Sequence, residues 1–252
     1  VGAPIFSARA ALHSGAGLVT LGIPEQIYPM AAAQNPESLF LPLSEQNGYF
    51  SEQALNELTP SLNQYDSIAI GPGMGRLPEG EKWLKSLLTR FSTQTLVMDA
   101  DALYLLRNDL ELLREYKGDI VLTPHPGEMA RLVNKTIQEV EADRIEIARL
   151  FAEKYQVYLL LKGHRTIIST PQGVIYINPH GHDALGKGGS GDVLTGLIAS
   201  FLAQGANPIN ALVSASYIHA LSGEEQAKKL SNYGVTPVNL IDGIKEVLKR
   251  LV

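Results

Sequence analysis

Short, continuous apolar runs alternate with helix-patterned stretches along most of this chain, and that alternation limits the fold more than any other feature. The clearest runs are residues 67–70, 95–98, 120–122 and 157–161. None alternates apolar with polar residues, as a strand with one wet face would. Strands that are apolar on both sides belong to parallel sheets covered by helices on both faces. The spacing predicts two more strands, at 18–21 and 38–43, and a hairpin of 166–169 with 174–177 around Pro171-Gln-Gly173. Helices are predicted over 4–13, 24–33, 52–62, 78–91, 102–107, a long stretch through 137–151, 193–205, 208–228 and 237–251. Thr236 and Pro237 make a good cap and first residue for the last.

The chain has 252 residues, 45% of them hydrophobic, enough for one large core, and we read 1–252 as a single domain. There is no internal repeat, low-complexity segment or interdomain linker. A net charge of -5 argues against nucleic acid as the main partner. The absence of cysteine excludes disulfides and thiol catalysis and fits a reducing cytoplasm. No apolar run reaches membrane-spanning length and no signal peptide is visible. Val1 opens directly into a helix-like stretch, so the expectation is that the native N-terminus precedes this numbering.

In parallel α/β sheets ligands sit at the carboxyl ends of the strands, and five strand ends here carry residues suited to chemistry. Gly71-Pro-Gly73-Met-Gly75 can lie against a planar ligand or a phosphate, or be a tight strand-to-helix turn. Asp99 and Asp101 flank the next end; we read Asp101 as an N-cap and leave Asp99 open as a water-mediated magnesium holder. In Thr123-Pro-His125-Pro-Gly-Glu128, His125 is placed for substrate contact or, equally, for an exposed capped helix start. Glu128 is placed to orient a metal-bound water. Lys162 ends a buried strand and suits a phosphate as a point charge, whereas His164 and Arg165 read as a solvated turn. The other histidines show no metal-ligand spacing, so no zinc site is expected.

The fifth end is the glycine-rich loop. Gly186, Gly188, Gly189 and Gly191 fall just before a helix that carries Asp192 in its first turn. A helix start offers free N–H donors to an anion, and Asp192 is placed to take a proton beside it. The helix dipole is expected to keep Asp192 ionised and weakly basic. Gly186 to Gly191 matches the dinucleotide fingerprint but lacks the acid about 20 residues on. Gly181 to Gly188 approaches a P-loop but ends in Gly188 where Ser or Thr should hold magnesium.

With these motifs placed, the chain resembles the NAD(P)H-hydrate dehydratases, a branch of the ribokinase-like superfamily. The likeness runs through 14–20, 70–75, 97–103, Thr123 to Glu128, Lys162 to Thr166 and Gly188-Gly-Ser-Gly-Asp192-Val-Leu-Thr-Gly196. It implies a three-layer α/β/α sandwich with a mostly parallel central sheet. It also implies repair of hydrated NADH and NADPH with ADP in bacteria or ATP in eukaryotes, magnesium, and a cytoplasmic homo-oligomer. The hydrate hydroxyl is phosphorylated and phosphate is then eliminated. By resemblance Ala3, Gly73, Gly75, His125 and Asp192 contact the hydrated dinucleotide. Lys162, Gly163, His164, Arg165, Thr166, Gly188, Ser190 and Gly191 line the adenosine nucleotide. Asp192 is the base, Gly189 and Gly191 belong to the anion hole, and Glu128 with Asp99 organises magnesium. The family's further N-terminal strand is absent here, His182-Asp183 stands where many members carry Asn-Pro, and no fused epimerase domain is seen. A vitamin-like alcohol kinase of the same superfamily and a non-catalytic nucleotide sensor are the two rival readings.

Overall fold

The structure is a computed structural model and describes residues 1–91 and 93–251. Ten strands are described: β1 Thr20–Pro24, β2 Leu39–Leu43, β3 Glu45–Gln46, β4 Tyr49–Phe50, β5 Ser67–Ile70, β6 Thr95–Met98, β7 Ile120–Leu122, β8 Tyr158–Leu161, β9 Ile167–Ser169 and β10 Ile175–Ile177. The helices are α1 Gly2–Leu12, α2 Tyr28–Gln34, α3 Glu52–Leu58, α4 Gly80–Leu88, α5 Asp101–Leu106 and α6 Leu112–Glu115. They continue with α7 Pro126–Leu132, α8 Ile137–Ala142, α9 Arg144–Tyr155, α10 Ser190–Ala203, α11 Pro208–Gly234 and α12 Pro237–Leu251.

The main sheet has six strands in the order β10-β9-β8-β7-β6-β5. β5 to β8 run parallel, and the hairpin β9–β10 closes the far edge antiparallel. Successive side chains of a strand point to opposite faces, so each apolar run feeds two cores at once. Leu96, Met98, Ile120, Leu122, Leu159 and Leu161 pack on one face with Leu84, Leu103, Met129 and Phe151. Val97, Val121 and Leu160 pack on the other with Val193, Leu197, Leu212, Ile241 and Ile244. This is the three-layer sandwich that the unbroken apolar strands predict. α1 and α10 meet most closely at Gly196, where a Cβ would stand 1.9 Å from the Ser7 carbonyl oxygen.

Three expectations are corrected. The early strands do not join the main sheet: β1 and β2 form a separate parallel pair. They flank α2 as one β-α-β unit, so each finds its partner locally. A cavity of about 1030 Å³, lined by Leu21, Ile23, Ile68 and Ile70 among others, lies between that pair and β5. The long helix through 137–151 is two helices, because Asp143 leaves helical geometry at φ -141 and ψ 47. A capping box starts the first, with Thr136 and Glu139 exchanging side-chain and backbone bonds. The helix at 208–228 runs on to Gly234, across a non-helical Ser231.

Candidate active site

The carboxyl ends of β6, β7 and β8 line up side by side. The Thr123 N–H donates to the Met98 carbonyl at 3.2 Å, and the Lys162 N–H donates to the Pro124 carbonyl at 2.8 Å. That alignment brings the singled-out side chains onto one ledge, against the start of α10.

At its centre Lys162 Nζ donates to Asp99 Oδ1 at 2.7 Å. Thr195 Oγ1, on α10, donates to Asp99 Oδ2 at 2.8 Å, and Glu128 Oε2 stands 3.7 Å from Lys162 Nζ. A charge is costly to bury unless it is paired and hydrogen-bonded, and Asp99, with its side chain 2% exposed, is both. Burial opposes the charge on Lys162, but the Asp99 and Glu128 carboxylates outweigh it and raise its pKa above the usual lysine value. The solvated-turn reading of this lysine is therefore corrected. Asp99, read as a magnesium holder, has a protein donor on each oxygen.

Asp192 faces the same cluster. Its pKa is raised from 3.8 to about 6, first by burial and then by the Asp99 carboxylate, with Lys162 pulling the other way. The expectation that the helix dipole leaves it weakly basic is corrected: desolvation and a like charge outweigh the dipole. The result is a carboxylate still mostly ionised at neutral pH and basic enough to accept a proton there.

The loop before it is shaped for a close approach. Gly189 has φ 93, and a Cβ would stand 2.6 Å from Pro237 Cγ, so only glycine fits. At the head of α10 the Ser190 N–H turns back to the Lys187 carbonyl at 3.2 Å and the Val193 N–H to Gly189 at 3.1 Å. The Gly191 and Asp192 N–H groups have no backbone acceptor in the loop among the described residues, so two donors stay open at the positive end of the helix. A Cβ on Gly191 would lie 3.3 Å from Lys162 Nζ. An anion at these donors would thus sit beside an ammonium group.

His125 does what the more cautious reading allowed. It caps α7, its Nδ1 accepting from Gly127 and Glu128 N–H groups, while Glu128 Oε2 accepts from the His125 N–H at 2.8 Å. Burial holds its pKa below the usual histidine value, against the pull of Glu128. Asp101, read as an N-cap, instead accepts from the Gly75 N–H at 2.7 Å and so ties the glycine turn after β5 to α5. A Cβ on Gly73 would stand 3.2 Å from the Ala3 Cβ, so Ala3 and Gly73 are neighbours. Gly163, His164 and Arg165 are exposed and Thr166 half-buried in the turn after β8. His182 caps the short turn that follows it, accepting from the Ala184 N–H at 3.2 Å.

Two partners escaped the sequence reading. Arg144 donates to the carbonyls of Leu161, Lys162 and His164 and so cradles the 162–166 turn. His219 is fully buried on α11, with Nε2 3.0 Å from the Ser190 carbonyl and 3.2 Å from its hydroxyl. Ser190, expected along the nucleotide, is thus 4% exposed and turned inward. Both partners come from helices far away in sequence, and no local pattern marks them.

Residues 1–246 match the NAD(P)H-hydrate dehydratase family. The bifunctional NAD(P)H-hydrate repair enzyme Nnr of Moorella thermoacetica is 41% identical over 251 residues, 99% of this chain and 47% of that protein. An ADP-dependent (S)-NAD(P)H-hydrate dehydratase of Neisseria meningitidis is 34% identical over 226 residues, 88% of this chain and 72% of that one. The chain spans about half the length of most curated relatives it matches. An ADP/ATP-dependent NAD(P)H-hydrate dehydratase of Bacillus subtilis, co-crystallised with ATP and Mg²⁺, has the same fold with a TM-score of 0.84. It is 28% identical, covering 100% of this chain and 85% of that one. The fold is ribokinase-like, and the chain belongs to the NAD(P)H-hydrate dehydratase family.

Proposed function

We propose that this chain dehydrates hydrated NADH and NADPH by phosphoryl transfer from ADP or ATP, followed by loss of phosphate. The observation that carries the reading is Asp192, a buried carboxylate with pKa about 6, beside the open N–H groups that begin α10. Asp192 takes the proton of the hydrate hydroxyl as its oxygen attacks the terminal phosphorus of the nucleotide. The Gly191 and Asp192 N–H groups, aimed before the reaction begins, stabilise charge on the phosphoryl oxygens. The nucleotide leaves shorter by one phosphate. Breaking the carbon–oxygen bond then expels inorganic phosphate, and loss of a neighbouring proton restores the reduced nicotinamide.

Lys162 and Asp99 hold the ledge on which this happens. Lys162 keeps a positive charge near the phosphoryl site, and the turn from Gly163 to Thr166 borders the adenosine nucleotide. Ala3, Gly73, Gly75 and His125 border the hydrated dinucleotide. Among the described residues no three His, Cys, Asp or Glu side chains converge on a metal site. Magnesium prefers nucleotide phosphates plus one or two carboxylates, and Glu128 fits that modest share. When bound it supplies charge neutralisation on the phosphates.

The test mixes hydrated NADH, magnesium and ADP or ATP and follows the absorbance of reduced nicotinamide. A rise is expected with both nucleotides, faster with ADP. No rise with either, together with phosphorylation of a simple alcohol, would favour a small-molecule kinase.

A further inference from the structure

Beside the ledge lies a second, smaller cavity of about 250 Å³. Its wall is formed by Arg76, Asp101, Tyr104, His125, Glu128 and Arg131, with Ala100 and Leu103 completing it. Asp101 and Glu128 are already engaged, by the Gly75 N–H and by His125 and Lys162. The two arginines are not: neither guanidinium has a hydrogen bond or ion pair among the described residues. Arg76 is nonetheless held in place. Its guanidinium lies 4.3 Å from the centre of the Tyr104 ring, and Arg107 lies 3.8 Å from the same ring. Arg107 is itself 3.4 Å from Glu81. Stacking on an aromatic face orders a guanidinium while leaving its N–H edge free. An ordered, unpaired arginine facing a second unpaired arginine across a small cavity suits a planar, bidentate grip on phosphate oxygens.

We infer that this cavity binds a phosphate group of the hydrated dinucleotide, gripped by Arg76 and Arg131. The inference rests on the dehydratase reading. Whole ligands of drug size fill roughly 300–1,000 Å³, so the cavity takes a phosphate with part of its ribose, not the whole molecule. The wall also says which ligand. His125 belongs to it and borders the hydrated dinucleotide in that reading, whereas nothing from Lys162 to Thr166, the nucleotide side, belongs to it. A dinucleotide offers two sources of phosphate: the pyrophosphate bridge, present in both hydrates, and the 2′-phosphate, present only in NADPH hydrate.

The experiment compares Arg76→Gln, Arg131→Gln and the double variant with the unaltered protein on both hydrates. Losing a charge-assisted grip is expected to raise KM for the hydrate on the order of tenfold per arginine. KM for ADP and the thermal midpoint should stay put, because both side chains are exposed and bond to nothing else. Arg76→Lys should recover only part of the loss, since lysine cannot make the planar grip. A rise with NADPH hydrate alone would identify the 2′-phosphate; an equal rise with both hydrates would identify the pyrophosphate. Unchanged KM for both hydrates in the double variant overturns the inference. If the unaltered protein turns over neither hydrate, the dehydratase reading fails on its own, and calorimetric titration with inorganic pyrophosphate still tests the cavity. Saturable binding lost in the double variant would support it, and no difference between the two proteins would refute it.

Discussion

Lys162 Nζ and Asp99 Oδ1 meet at 2.7 Å at the carboxyl ends of β8 and β6, with side chains 19% and 2% exposed. The pair joins strands that are not sheet neighbours, across the end of β7, and it stands between the phosphoryl site and Asp192. It therefore serves both the stability of the ledge and its electrostatics.

Removing the lysine should expose this double duty. Lys162→Met leaves Asp99 buried with Thr195 as its remaining side-chain donor. Breaking one side of a buried pair costs about 3–5 kcal/mol, and a loss near the lower figure is expected here because of that remaining bond. Denaturant unfolding at neutral pH measures it. A midpoint equal to that of the unaltered protein would mean the pair is worth no more than a surface ion pair.

Asp192→Asn should keep ADP affinity and lose roughly 10²-fold or more in turnover, the usual scale for an acid–base group. Since the carboxyl pKa is about 6, turnover of the unaltered protein should fall as pH drops through that value, and the residual rate of Asp192→Asn should not. The stability effect has the opposite direction. A carboxyl raised from 3.8 in the unfolded chain to about 6 in the fold binds more protons when folded between those values. Its charge therefore weakens the fold as pH rises through that window. Asp192→Asn should be the more stable protein at pH 7 and should lose that advantage near pH 4.

Gly189 and Gly188 differ sharply as substitution sites. At Gly189 alanine would need φ 93 and a Cβ 2.6 Å from Pro237, so Gly189→Ala should cost about 2 kcal/mol or more of stability. A Cβ on Gly188 meets open space. Gly188→Ala should leave the unfolding midpoint unchanged while narrowing the room for the phosphoryl group, so turnover should fall alone. Thermal melts paired with initial rates separate the two. Equal melting losses in both variants would contradict this assignment.

His219 should make the fold sensitive to mild acid. Burial lowers its pKa from 6.5 to about 4, only partly offset by its bond to Ser190. Between those values the unfolded chain takes up a proton that the folded one refuses, so stability falls as pH drops from about 6.5 to about 4 and levels off below. A shift of that size corresponds to about 3 kcal/mol across the window. His219→Gln, which keeps a donor for the Ser190 carbonyl, should flatten that slope. A slope unchanged by the substitution would assign the acid sensitivity to other groups.

Much of the architecture is written locally. Unbroken apolar runs such as Thr95-Leu-Val-Met98 demand cover on both faces, and the structure provides it, with Leu96 and Met98 in one core and Val97 in the other. The glycine loop and the Asp192 turn are likewise legible, because a helix start and its free donors follow from a few adjacent residues. Other features depend on which distant segments meet. Asp192 reads in isolation as a carboxylate favoured by a helix dipole, and burial beside Asp99 turns it into a stronger base. Lys162 reads as a free charge and is bound to Asp99, 63 positions earlier. Arg76 and Arg131 carry no local signal at all; the placement of Tyr104 and His125 makes them face one cavity. Backbone preference and hydrophobic periodicity act over a few residues and survive in the sequence. Desolvation and charge pairing depend on three-dimensional neighbours, so only the tertiary structure decides them.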